Sequence, residues 1–161
     1  MVGLSLVQRV EQYALRYKLV VDLNTKLGQG TDGAVWATDR DTAVKAFDRP
    51  ATYATERNCY LRLQERHITQ INGFTVPQLE GFDDSLLVVE MSIVSPPFLL
   101  DFGKAYIDHR PDYSEEAIAD DEAFRQELFE DRWPIVESIL NRLEGMGIYY
   151  VDARPGNITF D

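Results

Sequence analysis

Gly28-Gln29-Gly30-Thr31-Asp32-Gly33-Ala34-Val35, followed by Ala43-Val44-Lys45-Ala46-Phe47, is the stretch that decides how the rest of the chain is read. Three closely spaced glycines remove Cβ atoms, permit positive φ, and let backbone N–H groups come close to an anion. The same spacing marks a dinucleotide-binding βαβ unit only where a helix follows and an acid lies about 20 residues further on. Here the residues after Gly33 are extended in character, so the loop is expected to join two strands. Lys45 sits among apolar residues in a strand-like stretch and is expected to face inward. A buried ammonium is costly unless a carboxylate accompanies it.

The next segment supplies one. Asp48-Arg49-Pro50 stops the strand and starts a helix that runs to about Arg66, with Tyr53, Glu56, Tyr60 and Leu63 on one side. Glu56 shares an apolar face, where it would be as costly unpaired as Lys45, so each is expected to satisfy the other.

Outward from this centre, residues 5–17 place Leu6, Val10, Tyr13, Ala14 and Tyr17 at helical spacing. Strands are expected over 18–27, in two pieces over 34–47, and near 73–82 and 85–90, with Asp83-Asp84 as a turn. Ser95-Pro96-Pro97 is a connector. Beyond it we expect a short helix over 98–106, an acidic helix over 114–130, and a third helix whose core face is Trp133, Val136, Leu140 and Leu143, ended by Gly145 and Gly147. Ile148–Val151 and Ile158–Phe160 read as strand-like. The chain thus divides into an N-terminal helix (1–17), a sheet-rich lobe (18–92) and a helical lobe (93–161).

In order along the chain, the glycine loop, Lys45, Glu56 and Tyr150-Val151-Asp152-Ala153-Arg154-Pro155-Gly156-Asn157 resemble four elements of the protein kinase superfamily. These are the glycine-rich loop, the V-A-I-K lysine, its helix glutamate and the catalytic loop H-R-D-L-x-x-x-N. The resemblance implies an α+β, protein kinase-like fold with a complete antiparallel-sheet N-lobe carrying one helix, and an abbreviated, mostly helical C-lobe.

It also implies ATP and Mg²⁺ as cofactors. Gly28, Gly30, Gly33 and Val35 would cover the nucleotide, and Glu56 would hold Lys45 against its phosphates. Leu86-Leu87-Val88-Val89-Glu90-Met91-Ser92 resembles the strand entering the hinge, with Val89 guarding the back pocket and backbone groups of Glu90 and Ser92 facing adenine. Asp152 would be the base, Arg154 would replace the usual lysine near the γ-phosphate, and Asn157 would hold a metal. Tyr150 and Val151 depart from the family's His and Arg.

The family's second metal-binding Asp lies about a dozen residues beyond that Asn, in D-F-G. This sequence stops at Asp161, itself a poor substitute for that ligand. Leu100-Asp101-Phe102-Gly103 has the right letters but precedes the catalytic loop by about 50 residues. It is read as coincidental, part of the helix expected over 98–106; reuse of Asp101 by a rearranged chain is the alternative. The function implied is transfer of the ATP γ-phosphoryl group to a hydroxyl, either of a protein, as in serine/threonine kinases, or of a small molecule. The alternative is an inactive pseudokinase acting as a nucleotide-sensing or protein-interaction module. A shortened C-lobe is further expected to leave an apolar patch for a second copy or another protein to cover.

Composition narrows the partners. A formal charge of −11 argues against nucleic acid and anionic membranes, which need a basic surface. Most of that charge lies between Asp108 and Asp131, where ten Asp or Glu face Arg110 and Arg125. Cys59 is the single cysteine, no apolar run approaches membrane-spanning length, and the N-terminal residues lack a basic leader, so a cytoplasmic location is expected.

Overall fold

The computed structural model describes residues 3–161. Its first helix, α1 (Leu6–Tyr17), begins at a reciprocal cap: Ser5 Oγ accepts from the Gln8 amide, and Gln8 Oε1 accepts from the Ser5 amide. The meander β1 (Val21–Gln29), β2 (Gly33–Thr38) and β3 (Thr42–Phe47) follows, with the glycine loop at its first turn. Helix α2 (Pro50–Glu65) has proline in its first turn and buries Tyr53, Glu56, Cys59, Tyr60 and Leu63. After the short pair β4 (Gln70–Ile71) and β5 (Phe74–Thr75), strands β6 (Leu79–Asp83) and β7 (Val88–Ser92) complete a five-stranded antiparallel sheet in the order β1-β2-β3-β7-β6. The single strand expected over 73–82 is therefore two, interrupted around Pro77, which has no N–H to give a ladder.

The two-residue period of β3 and β7 sorts their side chains onto two cores. Lys45 lies opposite Val89 and Ala43 opposite Met91, facing α2 and the cleft. Val44 lies opposite Glu90 and Ala46 opposite Val88, facing α1 together with Trp36. Glu90 is thereby buried under α1, where its carboxylate accepts from Tyr13 Oη at 3.0 Å and from Thr42 Oγ1 at 2.7 Å. It fastens the N-terminal helix to the sheet. Glu90→Ala is expected to leave the buried Tyr13 hydroxyl without an acceptor and Thr42 with only Thr38 Oγ1 to bond, and to lower stability by about 2 kcal/mol in urea unfolding. An unchanged midpoint would show that α1 docks by apolar contact alone.

The helix expected over 98–106 is absent. Phe98–Leu99 instead forms β8, which pairs in parallel with β5 and antiparallel with β11 (Ile158–Thr159), and Asp101 at φ 69° breaks any helical run. After β8 come β9 (Tyr106–Ile107), α3 (Glu115–Phe129), a single 3₁₀ turn, α4 (Trp133–Gly145) and β10 (Ile148–Tyr149), which pairs with β9. Helix α4 buries Val136, Ile139, Leu140 and Leu143 and leaves Trp133 only partly covered. Helix α3 buries only Phe129 and exposes Ile118, Phe124 and Leu128.

Candidate active site

The site is organised around Lys45, which is 8% exposed in the middle of a sheet whose neighbours are apolar. Its Nζ lies 3.0 Å from Glu56 Oε2 and 3.5 Å from Asp101 Oδ1. Burial works against the ammonium charge, but the carboxylates of Glu56 and Asp101 more than offset it and hold Lys45 above the usual lysine range. Glu56, 1% exposed on α2, also accepts from the Phe102 amide at 3.2 Å. One carboxylate thus ties α2 both to the sheet and to the segment that carries Asp101.

That segment reverses the expectation set by sequence order. Asp101-Phe102-Gly103 precedes the catalytic loop in the chain, yet the β8–β11 ladder and the Leu100 amide, which donates to Asn157 O at 2.8 Å, bring the two together. Phe102 is fully buried and packs edge-on between Tyr60 and Tyr150, with ring centroids 5.4 Å apart on each side. Tyr150, in place of the family's His, donates its hydroxyl to Leu100 O. The tripeptide lies in the cleft wall rather than at its mouth, because strand pairing ignores chain order when the connections permit it.

The residues of the Asp152–Asn157 loop are locked to one another. Asn157 Nδ2 donates to Asp152 O at 2.9 Å and to Asp152 Oδ2 at 3.0 Å, which commits the amide and leaves Asn157 Oδ1 without a protein donor. Arg154 Nη2 is 3.7 Å from Asp152 Oδ2 and largely exposed. Arg125 of α3 donates to Val151 O at 2.8 Å and so ties the acidic helix to this loop.

Two adjoining cavities form the cleft. One, of about 310 Å³, is mostly apolar and lined by Leu27, Val35, Ala43, Met91, Ile93 and Val94, among others. The second, of about 200 Å³, lies under the glycine loop and is lined by Gly28, Gly30, Asp32, Lys45, Lys104 and Arg154, among others. Lys45, Asp101 and Asn157 line both. A side chain at Gly28 or Gly30 would meet open space, so the backbone there is accessible to a ligand. Gly33 is different, since a Cβ would fall 1.9 Å from Ala46 O and push β2 off β3.

Most residues singled out from sequence converge here. Gly28, Gly30, Gly33, Val35, Lys45, Glu56, Ser92, Arg154 and Asn157 line one or both cavities, and Asp152 lines a neighbouring cavity of about 510 Å³ with Phe124 and Leu128. The β7 residues and Asp161 are placed differently. The Glu90 side chain is turned to the α1 side by strand alternation, while its backbone lies between Val44 of β3 and Gly81 of β6; Val89 is buried opposite Lys45, behind the cleft that Met91 lines. Ser92 is in the apolar cavity, but its amide donates to Gln78 O and its Oγ accepts from the Gln78 amide, so that amide is already engaged. Asp161 is exposed and lines neither cavity. Asp32, Lys104 and Met91 were not anticipated; alternation from Lys45 across β7 would have found Met91.

A magnesium ion binds through one or two carboxylates plus substrate phosphates and keeps several waters. Asp101 and Asn157 fit that pattern, since Asp101 Oδ1 is buried without a hydrogen bond and Asn157 Oδ1 has no donor. No group of three or more His, Cys, Asp or Glu side chains among the described residues could hold a metal unaided. No helix among them is long and apolar enough to cross a membrane.

Sheet order, the Lys45–Glu56 pair and the placement of the Asp152–Asn157 loop have the arrangement of a protein kinase-like α+β fold. No protein-family model matches the sequence, and no curated protein matches it. Among solved structures, the chain is similar to the streptomycin–ATP–APH(2")-IIa ternary complex, at 18% identity and TM-score 0.43, covering 81% of this chain and 41% of that one. It is also similar to the gentamicin–APH(2")-IIa complex, at 14% identity and TM-score 0.45, covering 91% of this chain and 56% of that one. The chain therefore spans less than two thirds of either.

Proposed function

We propose that the protein binds ATP with Mg²⁺ in this cleft and transfers the γ-phosphoryl group to a hydroxyl. The observation that carries this reading is that Lys45, Asp101 and Asn157 line one cleft, with Glu56 paired to Lys45 and Asp152 held 3.0 Å from Asn157 in the neighbouring cavity, although their order in the chain is rearranged. The apolar cavity suits a nucleobase, and the glycine-loop cavity, with Lys45, Lys104 and Arg154, suits phosphates. Lys45 fixes the phosphates by charge, and Asp152 orients the acceptor hydroxyl and takes its proton. The bound cation would neutralise charge on the phosphates, with Asp101 and Asn157 as its protein ligands.

The acceptor side is the cavity between α3 and the catalytic loop, lined by Asp121, Phe124, Leu128 and Asp152. Its two carboxylates are matched by Arg125 and Arg154, around apolar Phe124 and Leu128, so the lining suits a hydroxyl-bearing acceptor without selecting it by charge. The pseudokinase alternative leaned on a missing metal Asp, and Asp101 removes that reason. Calorimetric titration of ATP with and without Mg²⁺ tests the reading. Mg²⁺-dependent binding with slow ADP release is expected; no binding in either condition would sink it.

A further inference from the structure

We infer that Asp32, in the glycine loop, is a ligand of a divalent cation held between the loop and Asp101. The inference rests on the nucleotide-cleft reading only for the place of the site. Glycine loops of the resembled family meet phosphates through their backbone. A carboxylate there would repel phosphate unless a cation lay between them.

Asp32 is 7% exposed, lines the cavity under the loop, and its carboxylate takes no hydrogen bond or ion pair from any described residue. Only its backbone is engaged, with Asp32 O accepting from the Asp48 amide at 3.0 Å. Opposite it, Asp101 Oδ1 is buried and also takes no hydrogen bond. Glu56 is already satisfied by Lys45 and the Phe102 amide. The charges at the heart of the cleft are thus buried Glu56 and Asp32 and the partly buried Asp101 against Lys45, an excess of two negative charges. Lys104 and Arg154 lie at its exposed rim. Burying unpaired carboxylates is costly, and one divalent ion balances this excess.

The space between the two carboxylates is kept open by a glycine. A Cβ at residue 103 would stand 3.5 Å from Asp32 Oδ2 and 3.7 Å from Asp101 Oδ1, and only 2.8 Å from Thr52 Cγ2. The donors are hard oxygens, which select Mg²⁺ or Mn²⁺ over softer ions. Such an ion joins the loop to the cleft floor, so cation binding and loop closure become one event.

The test is titration of Mn²⁺ into nucleotide-free protein, followed by calorimetry and by the electron paramagnetic resonance of free Mn²⁺. One site is expected in the wild type, weakened at least tenfold in Asp32→Asn and in Asp101→Asn. The melting temperature of Asp32→Asn in EDTA should equal or exceed that of the wild type, because a repelling charge is gone. No Mn²⁺ uptake by the wild type, or wild-type affinity in Asp32→Asn, overturns the assignment. Should that variant fail to fold, Fe²⁺-directed oxidative cleavage of the wild type answers instead. Cuts near both Asp32 and Asp101 support the site, whereas cuts near Asp101 and Asn157 alone refute it. Mg²⁺-dependent ATP binding together with a failed Mn²⁺ titration would remove Asp32 and leave the phosphotransfer reading standing.

Discussion

Lys45→Met is expected to abolish ATP binding and to cost the folded state about 3–5 kcal/mol, the usual penalty for removing one partner of a buried ion pair. Glu56 has almost no exposure, so without the ammonium its charge is stranded in the core, and Asp101 loses the ammonium 3.5 Å away. Urea unfolding measures the stability loss, and calorimetry the lost affinity. The double variant Lys45→Met/Glu56→Gln separates the two effects. It should regain most of the stability, since the fully buried Glu56 charge is gone and Asp101 keeps some access to water, yet still fail to bind ATP. A single variant as stable as the wild type would mean that the pair is open to water in solution.

Asp152→Asn should slow ADP formation by a factor of about 10²–10⁴, the span associated with a positioned general base, while ATP affinity is retained. Asparagine can still present an oxygen to Asn157 Nδ2, so the contact now 3.0 Å long survives and the loop keeps its shape. Asp152 lines the cavity beside α3 and neither cavity of the Lys45 cleft, which is why binding and turnover should part company. Single-turnover kinetics at saturating ATP is the measurement. Turnover equal to wild type would remove Asp152 from the chemistry.

Local pattern carried much of this structure. The helices over Leu6–Tyr17, Pro50–Glu65, Glu115–Phe129 and Trp133–Gly145 follow from apolar spacing, caps and proline placement, all short-range features of the chain. The Lys45–Glu56 pair was legible for a different reason. Two charges on otherwise apolar faces need each other wherever the fold puts them.

What escaped the sequence was long-range. The part played by the Glu90 carboxylate depends on which face of β7 it occupies, and the β3–β7 register sets that face through Val44. Asp101 was set aside because its motif stood on the wrong side of the catalytic loop.

The sequence by itself determined the strand meander with its glycine loop, the inward lysine, the helix that answers it and the loop carrying Asp152 and Asn157, since each is encoded within a few residues. Only the tertiary structure decided that Asp101 joins Lys45 and that Asp32 faces Asp101 across an open glycine gap. Those meetings are made by the β8–β11 ladder and by the fold of the glycine loop. Hydrogen-bond pairing between distant strands depends on register and connection, which no local window of residues contains.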